Sequence, residues 1–292
     1  MPILILGAAG NLGGQLKKVF ADQDCHAWDR LDFDFLDFGE LSERLRNLSP
    51  RIVINAAAYN AVDKCEDDKG EEILARRLNA ELPGALADYC LESGSRLIHY
   101  STDYVFGGDG RLSGAYSETD KPMPVNIYGR TKLDGEREIA RRALRGLDYY
   151  LIRTSKLFGP KGENPQAKPS FFDIMLSLAG NGGTVKAVDG EKSCFTYTPD
   201  LAAATKSLLD DKANRGIYHL CNSGEATWYE GAKYLFDRLS LDAVLEKSRP
   251  EDWLRPAKRP SFSALANNRR PVLRSWQAAL DEYLSSLNIK KK

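Results

Sequence analysis

Pro2-Ile3-Leu4-Ile5-Leu6 is a short apolar run that breaks off into Gly7-Ala8-Ala9-Gly10-Asn11-Leu12-Gly13, after which Leu12, Leu16, Val19 and Phe20 recur at helical spacing. A buried strand, a tight glycine turn and a helix, in that order, leave few folds open. They form the first half of a βαβ unit, in which the glycines allow a sharp turn, a close approach of backbone N–H groups to a pyrophosphate and close packing of helix on sheet. The helix N-terminus adds a field that favours phosphate charge.

The same alternation continues downstream. Residues 25–28 read as a second strand, 38–48 as a helix stopped by Pro50, 51–54 as a third strand, about 73–92 as a long helix ended by Gly94, 96–100 as a fourth strand and 148–153 as another. This order predicts an α/β fold, a Rossmann-type doubly wound parallel sheet covered on both faces. The glycine- and proline-rich stretch 103–127 is expected to be a loop over the strand ends. Beyond Gly159 the pattern loosens, and residues 171–179, 184–188, 218–221 and 228–239 read as a smaller mixed α/β lobe. The expected division is an NAD(P)-binding domain over 1–160 and a mainly substrate-binding lobe over 161–292, with some segments returning to the first.

Asp29 closes the second strand about 20 residues after the glycine loop begins, where a carboxylate would accept hydrogen bonds from an adenosine ribose. Its neighbour Arg30 would suit a 2′-phosphate instead, so residue type leaves NADH and NADPH both open. At the end of the third strand, Asn55-Ala56-Ala57-Ala58 is small enough for a nucleotide to lie against the backbone.

Tyr128 and Lys132 stand four residues apart on a predicted helix, which stacks them on one face. Bringing a phenol from about 10 to about 7 takes roughly 4 kcal/mol, and one charge about 4 Å away at an effective dielectric of ~20 supplies that order. The pair therefore reads as an acid–base device in which the lysine eases ionisation of the phenol. Such spacings are common on helix surfaces; the glycine loop upstream is what turns this one into a site.

Acidic and basic residues balance at 41 each over 292 residues, which argues against nucleic acid or an anionic membrane as a partner. The basic end Lys290-Lys291-Lys292 is too short to reverse this and reads as a frayed terminus. The five cysteines (Cys25, Cys65, Cys90, Cys194, Cys221) include no Cys-x-x-Cys pair, so neither a disulfide framework nor a metal cage is expected, and no compact carboxylate cluster calls for a metal. A reducing cytoplasmic location fits, as does the first strand's position so soon after Met1, which leaves no room for a signal peptide. His26, His99 and His219 lie in strand-like stretches and read as packed side chains.

With Ser101-Thr102-Asp103-Tyr104-Val105-Phe106 ending the fourth strand and Tyr128-Gly129-Arg130-Thr131-Lys132 following it, the chain resembles the extended short-chain dehydrogenase/reductases, and within them the dTDP-4-dehydrorhamnose reductase family. The resemblance also runs through Asn55-Ala56-Ala57-Ala58-Tyr59-Asn60-Ala61-Val62-Asp63-Lys64, Arg153-Thr154-Ser155, Tyr218-His219-Leu220 and Thr227-Trp228-Tyr229. It implies reduction of the 4-keto group of a dTDP-6-deoxyhexulose by NADPH or NADH. Tyr128 would be the proton donor, Lys132 would tune it and bind the nicotinamide ribose, and Thr102 would hold the carbonyl oxygen. Gly7, Gly10, Asn11, Leu12, Gly13, Asp29, Arg30, Asp37, Phe38, Ala56, Ala58, Tyr59, Tyr128 and Lys132 fall at cofactor positions, and Thr102 and Asp103 at sugar positions. The partners on this reading are a nucleotide sugar and, at most, a second copy of the chain in a homodimer.

Lys156 stands where the family usually carries an aromatic residue, and Ser193-Cys194-Phe195-Thr196 replaces a glycine- and proline-containing stretch. Both departures are on the sugar side, so Lys156 is read as a substrate residue for a sugar bearing an extra acidic group. Two other readings stay open. A nucleotide-sugar epimerase or dehydratase of the same superfamily would use the same catalytic residues, and a cofactor-binding regulatory subunit, like that of methionine adenosyltransferase, would keep the fold without turnover.

Overall fold

The computed structural model describes residues 2–164 and 167–287; Met1 and the Lys290–Lys292 tail lie outside them. The chain opens with β1 (Ile3–Leu6), α1 (Asn11–Val19), β2 (Cys25–Trp28), α2 (Phe38–Leu48) and β3 (Ile52–Asn55). A short turn of helix, α3 (Lys64–Asp67), leads into α4 (Lys69–Arg76) and α5 (Leu82–Ser93), then β4 (Arg96–Thr102), α6 (Ile127–Ala143) and β5 (Asp148–Thr154). After β6 (Leu157–Phe158) come α7 (Phe171–Gly180), β7 (Thr184–Val188), β8 (Ser193–Cys194), β9 (Thr196–Tyr197), α8 (Thr198–Asp210) and β10 (Gly216–His219). The last elements are β11 (Asn222–Ser223), β12 (Glu225–Ala226), α9 (Trp228–Leu239), β13 (Val244–Ser248), β14 (Leu273–Ser275) and α10 (Trp276–Ser286).

Six strands form one parallel sheet in the order β10-β5-β4-β3-β1-β2. Its side chains alternate between two cores. Ile3 and Ile5 join Leu12, Leu16, Leu201 and Leu208 under α1 and α8, while Leu4 and Leu6 join Leu41, Leu86 and Ile139 under α2, α5 and α6. The connection from β1 runs to β2 on one side, and that from its neighbour β3 runs to β4 on the other. That opens a crevice at the carboxyl end of the sheet beside the glycine turn. The Tyr218 strand, expected in the smaller lobe, is instead the sixth strand of the large sheet, because α8 packs against α1 and carries the chain back beside β5. The smaller lobe pairs β7 with β13 and β8 with β12, around an aromatic core of Phe158, Phe172, Phe195 and Trp276.

The long helix expected over 73–92 is interrupted by a single π-helical turn, Arg77–Glu81. Pro83 has no N–H to offer the Asn79 carbonyl four residues back. That carbonyl lies instead against Gly135 of α6, where a Cβ would stand only 2.1 Å from it. The turn points the Asn79 side chain inward, where it accepts from Tyr59 N–H at 2.9 Å and donates to the Tyr59 carbonyl and the Thr131 hydroxyl, each at 3.0 Å.

A buried ion pair holds α6 to the sheet. Arg153 of β5 donates to Glu136 through Nη2 at 2.7 Å and Nε at 2.9 Å, and Ser101 of β4 donates to the same carboxylate at 2.6 Å. Both charged side chains are about as buried as the apolar core, at 3% and 5% exposure, so each depends on the other for solvation. Arg153→Leu alone is expected to lower unfolding free energy by about 3–5 kcal/mol in urea titrations. The double variant Glu136→Leu/Arg153→Leu should recover much of that loss.

Candidate active site at the carboxyl end of the sheet

The site is assembled from the end of β4 and the first turn of α6. Asn126 caps α6, its Oδ1 accepting from Gly129 N–H at 2.7 Å while its Nδ2 donates to the Lys258 carbonyl at 2.8 Å. Glu66 accepts from Ile127 N–H at 2.6 Å. So fixed, the helix presents Tyr128 against the Tyr104 ring, edge to face with centroids 5.8 Å apart. Thr102 lies beside the phenol, close enough to pull its pKa down. Its hydroxyl also donates to Asp103 at 3.2 Å and accepts from Tyr104 N–H.

Lys132 is buried, and its ammonium turns inward: it donates to the Tyr100 carbonyl at 2.6 Å and lies 3.4 Å from His99 Nε2. Burial lowers its pKa to about 8, with Glu136 opposing. Burial raises the Tyr128 phenol, Thr102 pulls it down and Asp103 pushes it up. The expected arrangement, with the lysine charge alone bringing the phenol to neutrality, is therefore not what the geometry displays. A buried ammonium seeks acceptors, and here they lie on β4. Asp103 is buried, accepts from Ser263 at 2.5 Å, and is raised by that burial.

Lys156, two residues after β5, is engaged by the protein rather than solvated. Its backbone takes φ +34°, a left-handed conformation costly for a side chain with a Cβ. Its ammonium donates to the carbonyls of Glu191 and Ala226 at 3.2 and 3.0 Å and lies 4.2 Å from the Trp228 ring centre and 4.9 Å from that of Phe195. Burial lowers it to about 8, against the pull of Asp103 and Glu191. Glu191 is itself buried, paired with Arg255 and with the Trp228 indole N–H at 3.1 Å. Arg259 forks onto Asp63 at 2.6 and 2.7 Å. None of Glu191, Arg255 and Arg259 was singled out from the sequence; they are distant in the chain from the motifs, and only the loops of the smaller lobe bring them here.

The glycine crevice has features that a dinucleotide would need. A Cβ on Gly13 would stand 2.1 Å from the Gly7 carbonyl oxygen, so helix and turn meet backbone to backbone. No side chain caps α1 and its first turn holds no acidic residue, which leaves Asn11, Leu12 and Gly13 at an N-terminus suited to an anion. Ala56, Ala58 and Tyr59 follow β3 on the far side. At the end of β5, the buried hydroxyl of Thr154 has no partner among the described residues, while that of Ser155 lies by Asp103 and helps hold its pKa down. Asp37 caps α2 through Gly39 and Glu40 N–H at 3.1 and 3.0 Å, with Phe38 beneath Arg77. The Tyr59 hydroxyl donates to Glu71 at 2.6 Å.

The loop after Gly159 folds back over this crevice. Asn11 accepts from Gly162 N–H at 2.8 Å and donates to the Lys168 carbonyl at 3.0 Å, and Asn164 N–H donates to the Ala9 carbonyl at 2.9 Å. Asp29 is gripped from both sides, accepting from Ala9 N–H and the Asn164 amide, each at 3.2 Å, with Arg30 also reaching Asn164 at 3.4 Å. Asp29 and Arg30 therefore work as a set with Asn164, which sequence reasoning passed over as part of a polar loop. Among the described residues no cluster of metal-binding side chains occurs.

A Rossmann-type sheet with a glycine crevice at β1 and a tyrosine–lysine helix facing the end of β4 defines an extended short-chain dehydrogenase/reductase. The chain matches the family model described as the RmlD substrate binding domain over residues 1–289. It is 36% identical to a probable dTDP-4,6-dihydroxy-2-methyloxan-3-one 4-ketoreductase of Streptomyces antibioticus, covering 96% of this chain and 93% of the other. It is 33% identical to the dTDP-4-dehydrorhamnose reductase of Escherichia coli K12, covering 98% of each. Among solved structures, a Bacillus anthracis dTDP-4-dehydrorhamnose reductase in complex with NADP superposes with a TM-score of 0.88 at 28% identity, covering 98% of this chain and 99% of that one. The chain belongs to the dTDP-4-dehydrorhamnose reductase family.

Asn11→Ala removes both side-chain ties to the loop at Gly162 and Lys168. Hydrogen exchange at the Gly162 amide is expected to rise by about tenfold, as loss of roughly one net hydrogen bond implies.

Proposed function

We propose that the protein is an NAD(P)H-dependent reductase of a 4-keto nucleotide sugar, converting dTDP-4-dehydro-L-rhamnose to dTDP-L-rhamnose. The observation that carries this reading is Tyr128 set beside Thr102 at the end of β4, with Lys132 one turn further along α6 and its ammonium on the Tyr100 carbonyl. The NADP-bound relative supports the choice of cofactor. Gly7, Gly10 and Gly13 with Asn11 and Leu12 would hold the pyrophosphate, and Asp29, Arg30 and Asn164 the adenosine ribose. Lys132 would hold the nicotinamide ribose. The bound nicotinamide supplies a hydride to the carbonyl carbon. Thr102 orients the carbonyl oxygen, and Tyr128 gives that oxygen its proton as charge develops there. On this assignment residues 1–160, together with α8 and β10, serve the cofactor, and the rest of 161–292 serves the sugar. No helix among the described residues is long and apolar enough to cross a membrane. The five unpaired cysteines suit a cytoplasmic enzyme.

The reading is tested by following NADPH and NADH absorbance against a panel of 4-keto nucleotide sugars. Consumption of stoichiometric cofactor marks a reductase, whereas an epimerase leaves the nicotinamide band unchanged, and a regulatory subunit turns over none of the panel. Tyr128→Phe is expected to cut kcat by about 10²–10⁴ while NADPH affinity is nearly kept. Equal loss of cofactor affinity would contradict the assigned role.

A second reading of the substrate is a sugar carrying an extra acidic group for Lys156 to meet; the charge of Asp103, a sugar-position candidate, already acts on Lys156, and the Streptomyces antibioticus relative carries a different 4-ketoreductase name. Lys156→Ala should then raise KM for that sugar by about tenfold or more, with NADPH binding unchanged. Unaltered turnover of the rhamnose precursor by this variant would return the assignment to the first reading.

A further inference from the structure

His99 lies wholly buried in β4, with its ring between Asn55 of β3 and Lys132 of α6. The polarity of each hydrogen bond along this row follows from what each group can offer. Asn55 Oδ1 accepts from Ala57 N–H at 3.1 Å, so the amide nitrogen is the atom turned toward His99, where it donates to Nδ1 at 3.1 Å. Nδ1 therefore carries no proton. Burial, with the Lys132 charge adding to it, pushes His99 well below its ordinary range and keeps the ring neutral. The single ring proton then resides on Nε2, which faces Lys132 Nζ at 3.4 Å. An ammonium has three donors and no acceptor. An N–H aimed at it is repelled, whereas the same N–H aimed at the amine form meets a lone pair.

We propose that Asn55 and His99 are positioning residues that keep Lys132 a proton-exchanging group: the row from Ala57 through Asn55 and His99 delivers an N–H to Nζ and favours its amine form. This rests on the reductase reading for its purpose. When Lys132 gives a proton to water, the N–H bonding pair stays on nitrogen and accepts the His99 N–H; when a proton returns from water, that contact loosens. A lysine of ordinary basicity would be a fixed cation at neutral pH, whereas this one exchanges its proton in the range where Tyr128 must be reprotonated after each turnover. The titratable groups acting on Nζ are His99 from β4 and Glu136 from its own helix, with Glu136 clamped by Arg153 from β5. Glu136 favours the ammonium and burial opposes it.

The test is ¹⁵N NMR on the full chain together with the variant Asn55→Asp. The unsubstituted protein should show His99 with its proton on Nε2. A carboxylate at position 55 accepts at both oxygens, draws the ring proton to Nδ1 and makes Nε2 an acceptor for the ammonium. Lys132 titration, followed at Nζ without substrate or cofactor, should then move up by about one pH unit or more. Activity that needs the ammonium falls as pH rises through the lysine's pKa, so the alkaline limb of kcat should move up with it. A proton on Nδ1 in the unsubstituted protein overturns the proposal even if the variant does not fold. So does an Asn55→Asp protein in which the ring proton moves and Lys132 titrates as before. Failure to turn over any 4-keto sugar would instead sink the reductase reading, leaving the NMR result to decide the role of His99.

Discussion

The working geometry depends on one buried ion pair. Glu136 and Arg153 are shielded from water, so each needs the other's charge. Their bond closes α6 onto β5, with Ser101 bringing in β4 and His219 of β10 lying 3.4 Å from the guanidinium. Tyr128 and Lys132 sit on the turns of α6 just before Glu136. The helix that bears Tyr128 and Lys132 therefore cannot slide along the sheet without breaking a contact between desolvated charges. Rigidity of this kind suits a site in which a small misplacement of the acid costs catalysis.

The cofactor crevice is built on a different principle. Its floor is backbone against backbone, as the Gly7 to Gly13 approach requires, while Gly162, Asn164 and Lys168 lie over it, held by hydrogen bonds with Asn11 and the Ala9 carbonyl. The floor has no room to change, and the residues over it are tied by a few polar contacts near the surface. Asp29 belongs to both, since it takes one hydrogen bond from the turn and another from Asn164. Asp29, Arg30 and Asn164, from two distant segments, are thus tied into one hydrogen-bonded group that residue type at Asp29 and Arg30 alone does not reveal.

The large sheet was legible because each strand is a short apolar run bounded by glycine, proline or a cap, and β1, β2 and α2 lie where the periodicity placed them. Tyr218 was harder to place: a four-residue strand carries no sign of which sheet it joins, and only the packing of α8 on α1 decides it. At the site, the tyrosine and lysine were visible as a spacing, but the direction of the lysine was not. Its acceptors, the Tyr100 carbonyl and His99, belong to a strand whose residues read as packing alone. Asp37 illustrates the converse, a carboxylate read as a cofactor contact that the structure also spends on capping α2. Glu191, Arg255 and Arg259 left no local signature, since their partners are far away in the chain.

The π-helical turn before Pro83 has a wider consequence. Each residue of an α-helix advances the chain by about 100°, so a turn that accommodates one extra residue puts α4 and α5 out of phase by that amount. Both can then bury an apolar side, Ala75 on one and Leu86 on the other, while Asn79 reaches across to Tyr59 and Thr131. Restoring regular winding would rotate one of those apolar sides into water or pull the asparagine away from the loop after β3. A missing amide hydrogen thus makes the length of this segment as exacting as its composition, and a deletion there would disturb the contacts Asn79 makes with Thr131 and Gly135 of α6.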